Sequence, residues 1–223
     1  MTNGYLVKCS RLGRPEEPRI FFASSLMLKN YISGHRSSPT LSISSHLPPL
    51  DPLDVNHLPT LHAQATCIKF SPFASDLFLV GQRDGGCRLY QLGCPTPILS
   101  WSGETESATN YCLCGLCEMP TADLAWSTQK PGVFFLLHAN GELHTFDLCH
   151  DDTMPIQTAS LSLELNVKIE NLPLSLATSR GLVPGKQLLA VSVGGAIFAK
   201  ATFESRKDES ELLSLLRAKL KLQ

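Results

Sequence analysis

A phrase that recurs along the chain constrains its fold more than any other feature. A short apolar run leads into a polar turn with glycine, and an alternating run follows. In the clearest copy, residues 77–80 precede Arg83-Asp84-Gly85-Gly86, and residues 87–92 follow. Glycine beside Asn, Asp or Gly supplies the positive φ angles of a tight β-hairpin. The repetition therefore predicts an array of antiparallel sheets. The turns of the other copies are Asn3-Gly4, Asn140-Gly141 and Gly194-Gly195.

Two of the copies have a further strand upstream. Residues 66–72 and 122–127 alternate in polarity and end at Ser-Pro or Ser, where a strand is expected to stop. A looser outer strand, such as residues 98–101, completes the unit. The alternation predicts a buried core, whose members we expect to be Ile68, Phe70, Leu77, Leu79, Trp126, Phe134, Leu136, Leu189 and Val191.

These units predict an all-β chain, a partial propeller of about four four-stranded blades with a short C-terminal helix. Because the first copy begins in mid-blade, we expect the C-terminal part of a longer propeller. Leucines at three- and four-residue steps predict the helix, which either packs on the last blade or binds a partner. The propeller is assigned to residues 1–203, with blades or remnants near 1–32, 60–102, 120–148 and 160–203, a Ser/Pro-rich loop at 33–59 and the helix in 204–223.

Charge and hydropathy exclude several classes of function. The chain has 19 basic and 20 acidic residues, a net charge of -1, and no basic stripe with interleaved aromatics. We therefore expect no nucleic-acid binding. No apolar run approaches the roughly 18 residues of a spanning helix, and no signal peptide begins the chain, so we expect a cytosolic protein without membrane insertion. Its eight cysteines, scattered without framework spacing, are expected to be reduced.

The sequence predicts no catalytic residue, cofactor or metal. Structural zinc needs four converging ligands, and no paired Cys-x-x-Cys follows the cysteines near residue 115, so small apolar packing is the alternative. No serine lies on a nucleophile elbow. His62 and Asp84 suggest a structural hydrogen-bond network rather than an acid-base pair. We therefore predict that the chain is not an enzyme. The zinc candidates are Cys112, Cys114, Cys117, His138, His144, Cys149 and His150.

The units resemble WD repeats. Cys67-Ile-Lys-Phe-Ser-Pro72, then Asp84-Gly85 and Arg88-Leu-Tyr90, follow the WD pattern, with Leu-Tyr where Leu-Trp is usual. Their order resembles that of the dynein intermediate chains, above all those of the second cytoplasmic dynein, the motor of retrograde intraflagellar transport. The segments that carry this likeness are Leu124-Ala-Trp-Ser127, Pro131-Gly-Val-Phe-Phe135, Gly141-Glu-Leu-His-Thr-Phe-Asp-Leu148, Pro155-Ile-Gln-Thr-Ala-Ser160 and Gly185-Lys-Gln-Leu-Leu-Ala-Val191.

The resemblance implies a non-catalytic scaffold subunit of a hetero-oligomeric dynein complex. Its propeller would bind the dynein heavy chain and meet other dynein subunits, in the cytoplasm, at the cytoskeleton, and in the cilium and its base. Interfaces of this kind use aromatic and arginine anchors, and we expect exposed candidates on the clearest copy. For its aromatic residues the alternative is ordinary packing within a blade, and for its arginines it is a solvated turn. The alternative is a generic WD scaffold in another assembly, such as a ubiquitin-ligase receptor or a vesicle coat. The candidate contact residues are Arg83, Arg88, Tyr90 and Trp101.

Overall fold

The computed structural model describes residues 6–9, 15–21, 65–101, 119–169, 171–180, 186–204 and 209–219. This part of the chain consists mostly of antiparallel β-sheet, so the predicted all-β class is confirmed. The closed propeller and its number of blades stay predictions. Within these residues no helix is long and apolar enough to cross a membrane. The predicted loop at 33–59, His62, Cys112, Cys114 and Cys117 lie outside the described residues.

Two of the sheets are four-stranded meanders of the same design. In each sheet the strands pair in chain order, so that every strand lies beside the one before it. Sheet I consists of β3 (Ala65–Phe70), β4 (Leu77–Gln82), β5 (Cys87–Gln91) and β6 (Leu99–Trp101), and sheet II of β7 (Thr121–Trp126), β8 (Val133–His138), β9 (Glu142–Asp147) and β10 (Gln157–Ser160). An N-terminal pair is formed by β1 (Leu6–Cys9) and β2 (Pro15–Phe21).

Sheet III has three described strands, β11 (Leu174–Arg180), β12 (Lys186–Val193) and β13 (Ala196–Glu204). The sequence analysis missed β11 because its apolar positions are separated by Ser, Thr and Ala, which give a weak strand signal. It also placed the end of the second blade near residue 148, whereas β10 adds a fourth strand to sheet II after a loop. A one-turn helix, α1 (Leu161–Leu165), follows β10 and was not predicted.

The glycine turns lie where the sequence predicts them. Gly85, Gly141, Gly194 and Gly195 have φ angles of 83°, 85°, 57° and 95°, and they connect β4 to β5, β8 to β9 and β12 to β13. These φ values are strained for residues with a side chain, which explains the choice of glycine. The turn at Asn3-Gly4 lies outside the described residues.

The sheets stand side by side through their first strands, β3 beside β7 and β7 beside β11. One apolar cluster fills the space between sheets I and II, and a second fills the space between sheets II and III. Among the predicted core residues, Leu77, Leu79, Trp126, Phe134, Leu136, Leu189 and Val191 are buried as expected.

The core prediction is wrong for Ile68 and Phe70, whose exposed fractions are 45% and 56%. Alternation along β3 is present, but its faces are opposite to those expected. Cys67 packs against the core between sheets I and II, and Lys69 reaches Asp123 of β7. Alternation fixes which residues share a face, and it does not fix which face meets the neighbouring sheet.

The C-terminal helix α2 (Glu209–Lys219) packs against the sheets. Leu216 is buried in the cluster between sheets I and II, and the Arg217 guanidinium lies 3.1 Å from an Asp76 carboxylate oxygen at the start of β4. Leu215 remains 46% exposed. The helix thus contacts the first two sheets, whereas the sequence pointed to the last blade or to a partner.

Candidate functional site

One buried carboxylate joins the first strands of the three sheets. Asp123 of β7 lies 3.0 Å from the Lys69 ammonium of β3. The same carboxylate accepts hydrogen bonds of 2.8 Å from the backbone N–H groups of Leu124 and of Leu176 in β11. A carboxylate with an ion pair and two backbone N–H partners is held in one orientation between the strands. Asp123 is therefore assigned a structural role.

Further hydrogen bonds between neighbouring sheets lie close to this carboxylate. The Trp126 indole donates to the Lys69 carbonyl at 2.9 Å, and the Thr178 hydroxyl donates to the Trp126 carbonyl at 2.6 Å. The Ser127 hydroxyl donates to the Gln187 amide oxygen at 2.6 Å, and Thr121 donates to the Gly86 carbonyl at 3.0 Å. Because these polar groups are paired, they stabilise a rigid stack of sheets.

The structure places the candidate contact residues in different environments. Arg83 is exposed, as expected for an interface anchor. Arg88, Tyr90 and Trp101 are only 6%, 1% and 3% exposed, so the prediction that they are exposed is wrong for these residues. Trp101 packs against Phe134 of sheet II at a ring-centroid distance of 5.1 Å. Whether any of the candidates contacts a partner stays a prediction.

Arg88 and Asp84 form a shielded ion pair at the β4–β5 hairpin. Their side chains are 7% and 8% exposed, and their charged atoms are 3.5 Å apart. Asp84 also accepts the N–H of Gly86 at 2.8 Å, which fixes the hairpin. The network expected between Asp84 and His62 cannot be located, because His62 lies outside the described residues. The pair therefore stabilises the turn in the region that the structure describes.

An exposed apolar patch on β3 was missed by the sequence analysis. Ile68 and Phe70 lie two residues apart on the same face, and the Phe70 ring packs against Phe78 of β4 at 5.2 Å. Exposed bulky apolar side chains that lie together are a feature of protein-interaction sites. A local signal is the alternation itself, which places Lys69 on one face of the strand and both apolar side chains on the other.

The candidate zinc ligands that the structure describes are the histidines and Cys149. His138 and His144 meet edge-to-face at a centroid distance of 5.0 Å. Burial lowers the pKa of both imidazoles, that of His144 to about 4. Within the described residues no three His, Cys, Asp or Glu side chains are grouped as metal ligands would be. The arrangement favours two neutral imidazoles that pack against each other.

The cysteines whose side chains the structure describes, Cys67, Cys87, Cys94 and Cys149, are free thiols. Burial raises the pKa of the Cys87 thiol well above its ordinary value and also raises that of Cys67. A nucleophilic cysteine needs a lowered pKa, so neither thiol is prepared for catalysis.

Comparison with known proteins identifies relatives that match part of the chain. No family model matches the chain. Over 95 residues it is 33% identical to human cytoplasmic dynein 2 intermediate chain 1, and 30% identical to the mouse protein over a stretch of the same length. The chain resembles the dynein intermediate chains. The resemblance predicted from the order of the repeats is thereby confirmed. Each match covers 43% of this chain and 8% of the relative, so the chain spans a small part of the length of those relatives.

Proposed function

We propose that the chain is part of a WD-repeat propeller and serves as a non-catalytic scaffold subunit of a dynein motor complex. In this proposal the propeller binds the dynein heavy chain and meets other dynein subunits. The complex works in retrograde intraflagellar transport, so the protein belongs to the cytoplasm, the cytoskeleton, and the cilium and its base. The observation that carries the proposal is the similarity to the cytoplasmic dynein 2 intermediate chains.

The arrangement of the sheets supports the propeller part of the proposal. Successive antiparallel sheets lie side by side through their first strands, with apolar clusters between their faces. Radial repetition of four-stranded sheets is the architecture of a propeller blade array. Asp123, which contacts both neighbouring first strands, would fix the angle between blades.

The exposed patch on sheet I supports the binding part of the proposal. Ile68 and Phe70 offer an exposed apolar surface on β3. Arg83 offers an exposed cation on the β4–β5 turn, beyond the end of β4 that pairs with Ala65. Apolar centres with arginine anchors are characteristic of stable protein interfaces. We propose Arg83 as the first contact to test, because charge reversal at the buried Arg88 would place two carboxylates together and damage the fold.

Affinity purification from ciliated cells tests the proposal. We expect the tagged chain to enrich a dynein heavy chain, as quantified by mass spectrometry. Arg83→Glu should lower this enrichment, and Lys168→Glu, a charge reversal at another exposed position, should leave it unchanged. Recovery of a ubiquitin-ligase or vesicle-coat assembly instead of motor subunits would replace the proposal with the generic WD scaffold.

A further inference from the structure

An open groove separates the outer halves of sheets II and III. It has a volume of about 630 Å³, and its walls include Phe135 and Leu143 of sheet II and Leu189 and Phe198 of sheet III. Helix α1 closes one side, where Glu164 pairs with Lys200 of β13 at 3.1 Å. The groove is continuous with the apolar cluster between the two sheets.

The repeat itself shows what is absent from this groove. In sheet I, strand pairing places Trp101 of β6 beside Cys87 and Leu99 beside Leu89. In sheet II, the corresponding pairs put Ala159 beside Leu143 and Gln157 beside Thr145. A tryptophan and a leucine thus fill the space between sheets I and II, whereas an alanine and a glutamine stand at the matching positions between sheets II and III.

The wall opposite these positions differs in the same way. Between sheets I and II, the Trp101 ring packs against Phe134 and Phe146, with centroids 5.1 and 5.4 Å away. On the face of sheet III that meets sheet II, Leu189 pairs with Lys200 and Val191 pairs with Phe198, whereas sheet II presents the stacked rings of Phe134 and Phe146 to sheet I. The second interface therefore retains an apolar floor without the aromatic cluster that completes the first.

The groove also runs along a strand edge. Within the described residues sheet III ends at β13, whereas sheets I and II have a fourth strand at the same place. Residues of both faces of β13, Ile197 and Ala199 together with Phe198 and Lys200, line the groove. Since neighbouring residues of a strand point to opposite faces, the backbone edge must form this wall. Ile197 is 76% exposed beside it.

We propose that this groove binds an extended peptide of a partner protein, which pairs with the edge of β13 and inserts one large aromatic side chain between sheets II and III. Backbone hydrogen bonds along the edge would fix how the peptide is aligned with β13, and the groove would select for the aromatic residue. An indole suits the space best, because the equivalent interface of the same chain is filled by one. The proposal goes beyond the proposed dynein assembly, and it requires that the position of a fourth strand beside β13 be open, as it is within the described residues.

A labelled heptapeptide titrated into the full chain tests this proposal. The probe is acetyl-Thr-Val-Thr-Trp-Thr-Val-Thr-amide, and binding is followed by fluorescence anisotropy. We expect saturable binding that weakens by about ten-fold or more when the peptide tryptophan is replaced by alanine. Successive N–H groups of an extended peptide point to opposite edges of the strand, and only one edge faces β13. N-methylation of the nitrogens on that edge should abolish binding, whereas N-methylation of the nitrogens on the other edge should leave binding unchanged.

Variants of the chain provide the matched control. Ala159→Trp places the chain's own indole in the groove and should abolish binding, whereas Ser100→Trp, an exposed position on β6, should leave it unchanged. If Ala159→Trp does not fold, the test uses the wild-type chain instead. The backbone amide chemical shifts that change when the peptide is added should then belong mainly to residues 197–201. Equal binding of the tryptophan and alanine peptides, equal effects of the two N-methylation patterns, or shifts elsewhere would overturn the proposal. Filling of the groove by a second copy, seen as a dimer that Ala159→Trp dissociates, would overturn it too.

Discussion

Replacement of Phe134 by alanine probes the core between sheets I and II. The ring is fully buried and stacks on Phe146 at 4.7 Å with an interplanar angle of 3°. It also packs against Trp101 at 5.1 Å and Trp126 at 5.7 Å. Removing a buried phenylalanine costs about 3–5 kcal/mol, and the loss of aromatic partners places this site in the upper half of that range.

Phe70→Ala is the matched control for this change. The chemistry is the same, but Phe70 is 56% exposed, so less than half of its burial energy is at stake. We expect a loss of about 1 kcal/mol. Urea denaturation followed by the fluorescence of Trp101 and Trp126 measures both losses. Equal losses at the two sites would refute the assignment of the β3 faces, because the sequence analysis placed both rings in the core.

The other predictions concern close contacts, protonation and the Asp123 carboxylate. Gly81→Ala should lose about 1–3 kcal/mol of stability in urea denaturation, because the added carbon would lie 2.5 Å from Cγ2 of Thr121, and Thr121→Ser should restore part of it. The free energy of unfolding should fall as pH drops from about 6.5 towards 4, because the pKa of His144 is about 4 in the folded state and ordinary in the unfolded state, so the unfolded state binds more protons. His144→Gln should flatten this pH profile. A melting temperature that does not change with pH would contradict the prediction. Asp123→Ala should lower the free energy of unfolding by about 1–3 kcal/mol and speed hydrogen exchange at the Leu176 amide. Asp123→Asn, which keeps a hydrogen-bond acceptor, should lower it less. Unchanged exchange in both variants would show that the carboxylate does not hold β11.

Local chemistry made much of this fold predictable from the sequence. The glycine turns at Gly85, Gly141 and Gly194-Gly195 follow from φ angles that other residues avoid. The strands β4, β8 and β12 follow from apolar runs on both sides of these turns. Strand β11 was missed because its pairing with β12, rather than its own composition, makes it a strand.

Interactions between sheets were the part that the sequence could not provide. The outward position of Phe70 depends on Lys69 meeting Asp123, 54 residues away along the chain. Burial of Trp101 accompanies its packing against Phe134 and Phe146 of the neighbouring sheet. Arg88 is buried for a local reason, its ion pair with Asp84 across the same hairpin. Residue type alone suggested exposed anchors at these positions, because aromatic and arginine side chains occur both at interfaces and in packed sheets.

Cross-linking mass spectrometry of the native complex tests the central claim most directly. The tagged protein is purified with its partners from ciliated cells and treated with a lysine-reactive cross-linker. The proposed scaffold role predicts cross-links that join lysines of this chain to a dynein heavy chain. Cross-links only to subunits of a different assembly, with no motor subunit recovered, would contradict it.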